Sequence, residues 1–99
     1  MSTVVFVNTL RLTGPAEDLE RIYADVAAFF RAQPGLIRYQ LVRSTTDPDV
    51  YVNIAEWRDL AAFRTATSQE AFRTALRVST VSTGDPHVCQ VVSAGTGPA

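Results

Sequence analysis

The chain begins with an apolar run rich in β-branched residues at residues 4–7, after which polar residues at 8, 9 and 11 are interspersed with leucines at 10 and 12. Residues 3–12 therefore predict a β-strand, in which successive residues face opposite sides. Phe6 and Leu10 fall on one side of that strand, and Asn8 lies between them on the same side. A carboxamide on an apolar face needs a hydrogen-bond partner, so Asn8 is a first candidate for a ligand contact.

Three further strands are predicted downstream. Alternation over residues 36–46 and 50–57 indicates two strands, and the turn residues at 47–49 predict that they form an antiparallel hairpin. A polar loop is predicted at residues 79–86, followed by a last strand at residues 87–93.

The segments between these strands have helical spacing. Between Pro15 and Pro34 the apolar residues form one broad stripe, made of Leu19, Ile22, Tyr23, Val26, Phe29 and Phe30. Asp59 is placed to cap a short second helix. Thr67 and Glu70 fit a capping box for a further helical segment.

The order βαββαβ predicts an α+β fold, a ferredoxin-like sandwich with helices on one face of a four-stranded antiparallel sheet. We predict one such domain over residues 1–93 and a flexible C-terminal tail at residues 94–99.

The other face of the sheet is predicted to be apolar as well. Val5, Val7, Val52 and Ile54 are among its members, and one chain has too few helices to cover both faces. Since such a patch is unfavourable in water, we predict a homodimer that packs sheet against sheet.

Composition narrows the class of partner. The 99 residues carry a net charge of −1, which argues against a nucleic-acid surface. The first 12 residues lack the basic start of a signal peptide, and no apolar run is long enough to span a membrane. We therefore expect a cytoplasmic protein that binds neither nucleic acid nor membrane.

Several familiar sites are excluded by residue type. With Cys89 as the one cysteine and His87 as the one histidine, neither an intrachain disulfide nor a zinc site is expected. No glycine-rich phosphate loop is present, so no nucleotide or flavin cofactor is expected.

The strand at residues 50–57 carries the most informative polar residue. Tyr51, Asn53 and Trp57 share one of its faces, which places an amide between two aromatic rings. This arrangement fits a pocket for a flat, oxygen-rich molecule. The alternative is that Asn53 bonds a neighbouring backbone group and Trp57 is only core.

The predicted topology brings other residues near this face. Asn8 and Asn53 lie on strands that are neighbours in a ferredoxin-like sheet, so both amides are expected to reach one cavity under the helices. On the second strand Arg38 and Tyr39 are adjacent, so only one of them can face this cavity, and Tyr39 is a further candidate. Arg73 either reaches over the cavity mouth or lies on a solvated helix face.

These residues carry a resemblance to a known family. The segment from Val52 to Trp57, then Phe63, the run from Phe72 to Leu76, and Pro34-Gly35 together resemble the antibiotic biosynthesis monooxygenase family over residues 4–92. The resemblance implies a dimeric α/β barrel built from ferredoxin-like subunits.

The Asn-x-x-x-Trp element is similar to that of the cofactor-independent anthrone oxygenases of aromatic polyketide pathways. This resemblance implies that Asn53 and Trp57 are catalytic and that Arg73 contributes from the second helix. It places Phe63 where that group has a tyrosine, whose role would fall to Tyr51 or Tyr39. Substrate contacts are expected from Asn8, Tyr51, Phe63, Phe72 and Tyr39.

The haem-degrading branch of the same superfamily differs at one position. Asn8 and Trp57 fit its pattern, but Leu76 stands where that branch has an axial histidine, and leucine cannot bind iron. Haem degradation is therefore not expected.

The resulting hypothesis is an enzyme that oxidises an anthrone or phenol with O2 to a quinone, without cofactor or metal. Its partners would be a small aromatic substrate, O2 and a second copy of the chain. Two alternatives stay open, a non-oxidative polyketide cyclase or isomerase and a small-molecule-binding dimer without activity. Uptake of O2 distinguishes the first from the others.

Overall fold

The computed structural model describes residues 2–99 apart from the side chain of Thr74; Met1, the first residue of the predicted domain, lies outside it. Its elements are β1 (Val4–Leu12), α1 (Ala16–Arg31), β2 (Leu36–Arg43), β3 (Val50–Trp57), α2 (Leu60–Thr67), a 3₁₀ helix (Glu70–Thr80) and β4 (Ser82–Gln90). The strands form one antiparallel sheet in the order β2-β3-β1-β4. The predicted ferredoxin-like α+β fold is confirmed.

The helices cover one face of the sheet. Tyr51, Asn53, Ala55 and Trp57 of β3 are buried on that face, while the residues between them are half-buried on the other. The predicted stripe of α1 packs against the covered face. Its contribution to the core around Ala55 and Trp57 consists of Tyr23, Val26, Ala27 and Phe30.

Local chemistry sets where the helices begin. Pro15 precedes α1 as its N-cap residue, with φ −63° and ψ 138°. The carboxylate of Asp59 accepts the backbone N–H of Ala62 at 2.8 Å, so the predicted cap of α2 is confirmed. This hydrogen bond to the ionised form holds the pKa of Asp59 below its ordinary value.

The predicted loop at residues 79–86 was wrong except at Val81, because residues 79 and 80 end the 3₁₀ helix and residues 82–86 belong to a strand. β4 begins at Ser82 and ends at Gln90, and residues 91–99 form neither helix nor strand. The polar run belongs to a strand because β4 pairs with β1 on one side only, which leaves its residues largely exposed. Pro86, opposite Asn8, is tolerated since an edge strand does not need every N–H in the ladder.

The predicted capping box was also wrong. Thr67 is the last residue of α2, and its hydroxyl donates to the carbonyl oxygen of Phe63 at 3.0 Å. It therefore cannot cap the next segment, which follows Gln69 and winds as a 3₁₀ helix.

β2 is shorter and less regular than predicted. It ends at Arg43 because the hydroxyl of Ser44 accepts the backbone N–H groups of Thr46 and Asp47 and starts the turn. A bulge at its start interrupts the pairing with β3 between Leu36 and Arg38. Regular alternation would place Leu36 and Tyr39 on opposite faces, but the bulge shifts the alternation by one residue, and both pack against the core under the helices.

Within the described residues, no helix is long and apolar enough to cross a membrane.

Replacing Gly35 with alanine is expected to destabilise the fold. Gly35 has φ +93°, and an added Cβ would lie 2.5 Å from the Cβ of Ala62. Strain in the left-handed region and overpacking together predict a loss of roughly 2 kcal/mol in the free energy of unfolding, measured by urea denaturation. Gly95→Ala is the control, because nothing lies within 4 Å of its added Cβ. Equal stability of the two variants would contradict this explanation.

Candidate active site

The pairing of β1 with β3 brings two asparagines together. Asn8 and Asn53 are direct partners in the antiparallel register, and directly opposed residues point to the same side of a sheet. Both therefore project toward the helical layer, as predicted.

A cavity of about 330 Å³ lies on this side of the sheet. Its polar lining residues are Asn8, Tyr23, Asn53 and Thr67, and its remaining lining residues are apolar. Both predicted amides thus reach one cavity.

Asn53 is 7% exposed, and its carboxamide oxygen is already engaged. The hydroxyl of Tyr23 on α1 donates to Asn53 Oδ1 at 2.5 Å. The Asn53 amide therefore retains its Nδ2 hydrogens for another acceptor. On this face Asn53 bonds a side chain of the opposite layer, so the alternative of a backbone partner does not apply.

The carboxamide oxygen of Asn8 is also engaged, by a backbone group of β4. Its Oδ1 accepts the backbone N–H of Asp85 in β4 at 2.9 Å. The neighbouring Gly84 leaves room for this amide, since an added Cβ there would lie 3.0 Å from Asn8 Oδ1. As with Asn53, the Nδ2 group of Asn8 is the part that remains to donate.

Tyr23 is the one titratable side chain among the described residues that line the cavity. Burial raises the pKa of its phenol well above the ordinary value of 10.0, and the neighbouring Tyr39 adds to that shift. Tyr23 therefore stays protonated and remains a hydrogen-bond donor throughout the neutral range.

Aromatic rings form much of the cavity wall. Phe63 stacks on Phe6 with ring centroids 5.4 Å apart, and Phe72 lies 5.9 Å from Phe30. All four line the cavity, so the two phenylalanines chosen from the sequence are at its surface.

Trp57 does not line this cavity. It is fully buried (0% exposed) between the rings of Phe30 and Phe63, which meet it edge-on at 81° and 78°. Its indole Nε1 has no hydrogen-bond partner among the described residues. In this conformation Trp57 supports the wall that Phe63 presents to the cavity.

Tyr39 and Tyr51 lie in a separate cleft between α1 and β2. Tyr23 forms the wall shared by this cleft and the cavity, and its ring stacks on that of Tyr39 at 6.2 Å. The Tyr51 hydroxyl donates to the carboxylate of Glu20, and the guanidinium of Arg43 lies 5.2 Å from the Tyr51 ring centre. The structure therefore separates both predicted substrate contacts from the two amides.

Arg73 is exposed on the 3₁₀ helix and does not line the cavity. Leu76, three residues further on, does line it and is 61% exposed, which marks the open mouth. Residues three apart eclipse each other in a 3₁₀ helix, so Arg73 lies on the same side of this helix as the mouth.

Tyr23 is the residue that the sequence analysis missed. It was counted as part of the apolar stripe of α1, where most aromatic residues serve packing. The available signal was its hydroxyl, because a buried phenol needs an acceptor and Asn53 was the buried amide on the opposite layer.

Among residues 2–99, no group of three or more His, Cys, Asp or Glu side chains lies close enough to hold a metal ion.

Comparison with known proteins agrees with this architecture. The chain is 43% identical over 82 residues to deoxynogalonate monooxygenase from Streptomyces nogalater, covering 80% of this chain and 70% of that protein. The crystal structure of SnoaB, a cofactor-independent oxygenase from the same organism, superposes with a TM-score of 0.88 at 35% identity over the whole of both chains. PA3566 from Pseudomonas aeruginosa matches with a TM-score of 0.73 at 26% identity, covering 96% of this chain and 97% of that one.

The family model for antibiotic biosynthesis monooxygenases matches residues 3–78, which include every cavity-lining residue except Pro86. Two of the similar proteins are named as a monooxygenase and as a cofactor-independent oxygenase. This chain is thus an enzyme that belongs to the antibiotic biosynthesis monooxygenase family.

Proposed function

We propose that this enzyme uses O2 to oxidise the activated methylene of an anthrone-type aromatic polyketide to a quinone carbonyl. The reaction would need no cofactor and would take place in the cytoplasm. The relatives supply the oxygenase chemistry, since their names specify a deoxynogalonate monooxygenase and a cofactor-independent oxygenase. The anthrone class comes from the resemblance to the anthrone oxygenases, and the site of this chain suits a substrate of that class.

The observation that carries the proposal is the pair of amides in a largely apolar cavity. Asn8 and Asn53 each have their carbonyl oxygen engaged by the protein, by the Asp85 N–H and the Tyr23 hydroxyl. Each amide therefore offers N–H donors to a ligand oxygen. Aromatic walls with two donors suit a planar molecule whose oxygens are acceptors.

The first chemical step is loss of a proton from the methylene carbon of the substrate. The resulting carbanion is delocalised as an enolate, which places negative charge on the carbonyl oxygen. Donors held in advance toward that oxygen stabilise the charge without reorganisation, most effectively where bulk water is excluded. We assign this role to Asn53, and contact with a second substrate oxygen to Asn8.

The electron-rich anion then reacts with O2. One electron passes from the anion to O2, and the resulting radical pair combines to form a C–O bond and a peroxide. Protonation of the peroxide, cleavage of its O–O bond and loss of the remaining methylene hydrogen release water. One oxygen atom stays as the quinone carbonyl and the other leaves as water, so the substrate is the sole reductant.

The cavity also indicates how the proton leaves. Its one titratable lining residue, Tyr23, is held in the protonated form by burial and cannot accept a proton. We therefore propose that the proton passes to water at the mouth beside Leu76, and that the substrate is acidic enough to ionise with amide stabilisation alone.

The other residues assigned from the sequence take less direct parts in this proposal. Trp57 fixes Phe63, which with Phe72 contacts the rings of the substrate. Tyr39 supports Tyr23 from the far side by stacking. Arg73 attracts anionic substrate groups at the mouth. Tyr51 lines the separate cleft beyond Tyr23, so it is assigned no substrate contact.

The enzyme is proposed to act as a homodimer. On the face of the sheet opposite the helices, the half-buried residues Val5, Val7, Val52 and Ile54 form an apolar surface. Packing two such sheets together would remove this surface from water.

Asn53→Ala is expected to lower kcat about 10² to 10³-fold with little change in fold, because one prepositioned oxyanion donor is lost. The measurement is O2 consumption together with quinone absorbance, using a dihydroxyanthrone in metal-free buffer. Gln69→Ala removes a carboxamide that bonds only Gln33 outside the cavity, and it should keep wild-type activity. Substrate binding without O2 uptake by the wild type would favour a cyclase or a binding protein instead.

Arg73→Ala is expected to raise KM about twofold to fivefold for a carboxylated anthrone while leaving kcat unchanged, as befits an exposed charge at the mouth. Added salt should remove the difference by screening. Arg31→Ala, another exposed arginine at the end of α1, is the control. A fall in kcat for Arg73→Ala would show instead that this guanidinium reaches the reacting substrate.

Ile54→Asp is expected to convert the dimer to monomer, because assembly would then bury an unpaired carboxylate. Sedimentation velocity at micromolar concentration measures this change. Ala28→Asp, on the exposed side of α1, should leave the dimer intact. A monomeric wild type would rule out the proposed assembly.

A further inference from the structure

Tyr23 connects the helical layer to the amide of Asn53. It is 3% exposed in the middle of α1, and its hydroxyl donates to Asn53 Oδ1 at 2.5 Å. The two residues come from different layers of the fold and are thirty positions apart. This contact therefore exists only after α1 has packed on β3.

The direction of this hydrogen bond decides whether Asn53 presents a donor or an acceptor to a ligand in the cavity. A carboxamide has an acceptor end and a donor end of nearly the same shape, so rotation by half a turn about the side-chain axis exchanges them. With Oδ1 facing Tyr23, the Nδ2 group is left for the cavity. The reversed amide would present an acceptor to the substrate oxygen and repel it.

The surroundings of Tyr23 favour one direction. Among the described residues its hydroxyl has no hydrogen-bond partner other than Asn53. If the amide were reversed, the phenolic proton would be buried without an acceptor. Burial also keeps this phenol protonated, so it remains a donor at neutral pH.

The ring of Tyr23 is itself held in place. It stacks on Tyr39 with centroids 6.2 Å apart and belongs to the core cluster that includes Val26 and Phe30. The hydroxyl therefore presents a fixed partner to the amide.

We propose that Tyr23 is a positioning residue that locks the Asn53 carboxamide with its N–H donors toward the cavity, so that the site selects hydrogen-bond acceptors. The inference rests on the proposed role of Asn53 as the oxyanion donor. The Asp85 N–H gives Asn8 the same orientation, so both amides present donors to one ligand.

The test is a double-mutant cycle of wild type, Tyr23→Phe, Asn53→Ala and the double variant. The probes are a dihydroxyanthrone for kcat and the corresponding dihydroxyanthraquinone, which does not react with O2, for Kd. Tyr23→Phe keeps the stacked ring and removes only the hydroxyl. We expect it to lower kcat and weaken quinone binding about tenfold, and to have no further effect when Asn53 is already alanine.

The cycle separates the two proposals. If the wild type consumes no O2 with the anthrone, the proposed function fails. If the wild type is active and Asn53→Ala keeps its kcat, the role of Asn53 as oxyanion donor fails, and the positioning role of Tyr23 fails with it. If Asn53→Ala loses activity but Tyr23→Phe has its full effect in that background, the function stands and the positioning role is overturned. A purely structural role would give such additive losses.

A further measurement depends neither on turnover nor on the stability of Tyr23→Phe. In wild type, the Asn53 side-chain amide should give one sharp pair of NMR resonances; exchange between two orientations would overturn the proposal.

Discussion

The cross-strand register of β1 and β3 is the constraint on which the site depends. It sets Asn8 directly opposite Asn53, so both amides share the face that the helices cover. A slip of one residue would turn one amide to the opposite face, because side chains alternate with a period of two. Apolar neighbours specify the register: Phe6 and Leu10 on β1, with Tyr51 and Ala55 on β3, are partners that pack under the helices. Core packing and site geometry are thus fixed by the same pairing.

Contacts from α1 and β4 determine which end of each amide is free to face the cavity. The carboxamides of Asn8 and Asn53 would otherwise be ambiguous, since each can present either its oxygen or its nitrogen. Tyr23 from α1 and the Asp85 N–H from β4 take the two oxygens and leave the nitrogens for the cavity. The enzyme thereby gains hydrogen-bond donors without burying a formal charge, which would carry a much larger desolvation cost. This arrangement suits the proposed reaction, in which the substrate itself supplies the electrons.

Most of the cavity wall is apolar, and this property complements the two amides. Phe6, Phe30, Phe63 and Phe72 surround the site, and Trp57 lies behind two of them. Aromatic surface favours a planar substrate and excludes water, and water would compete with the amides for a developing oxyanion. The polar residues outside the cavity, such as Tyr51 with Glu20, are separated from it by the ring of Tyr23.

The sequence by itself determined the element order, the fold class, the face that carries both asparagines and the two phenylalanines of the cavity wall. The first three follow from local periodicity, which a chain carries whatever its tertiary partners, whereas Phe63 and Phe72 were expected from the family resemblance. It did not determine β4, because the polar segment that begins at Ser82 is a strand only through its pairing with β1. Nor did it determine that Trp57 stands behind Phe63, or that Tyr51 faces a different cleft from Asn53. Alternation predicts which face of the sheet a residue lies on. Only the packing of α1 decides whether a residue on that face lines the cavity or the separate cleft. Tyr23 shows the limit most clearly: its spacing predicted a core position, and only the contact between two layers made its hydroxyl the partner of Asn53.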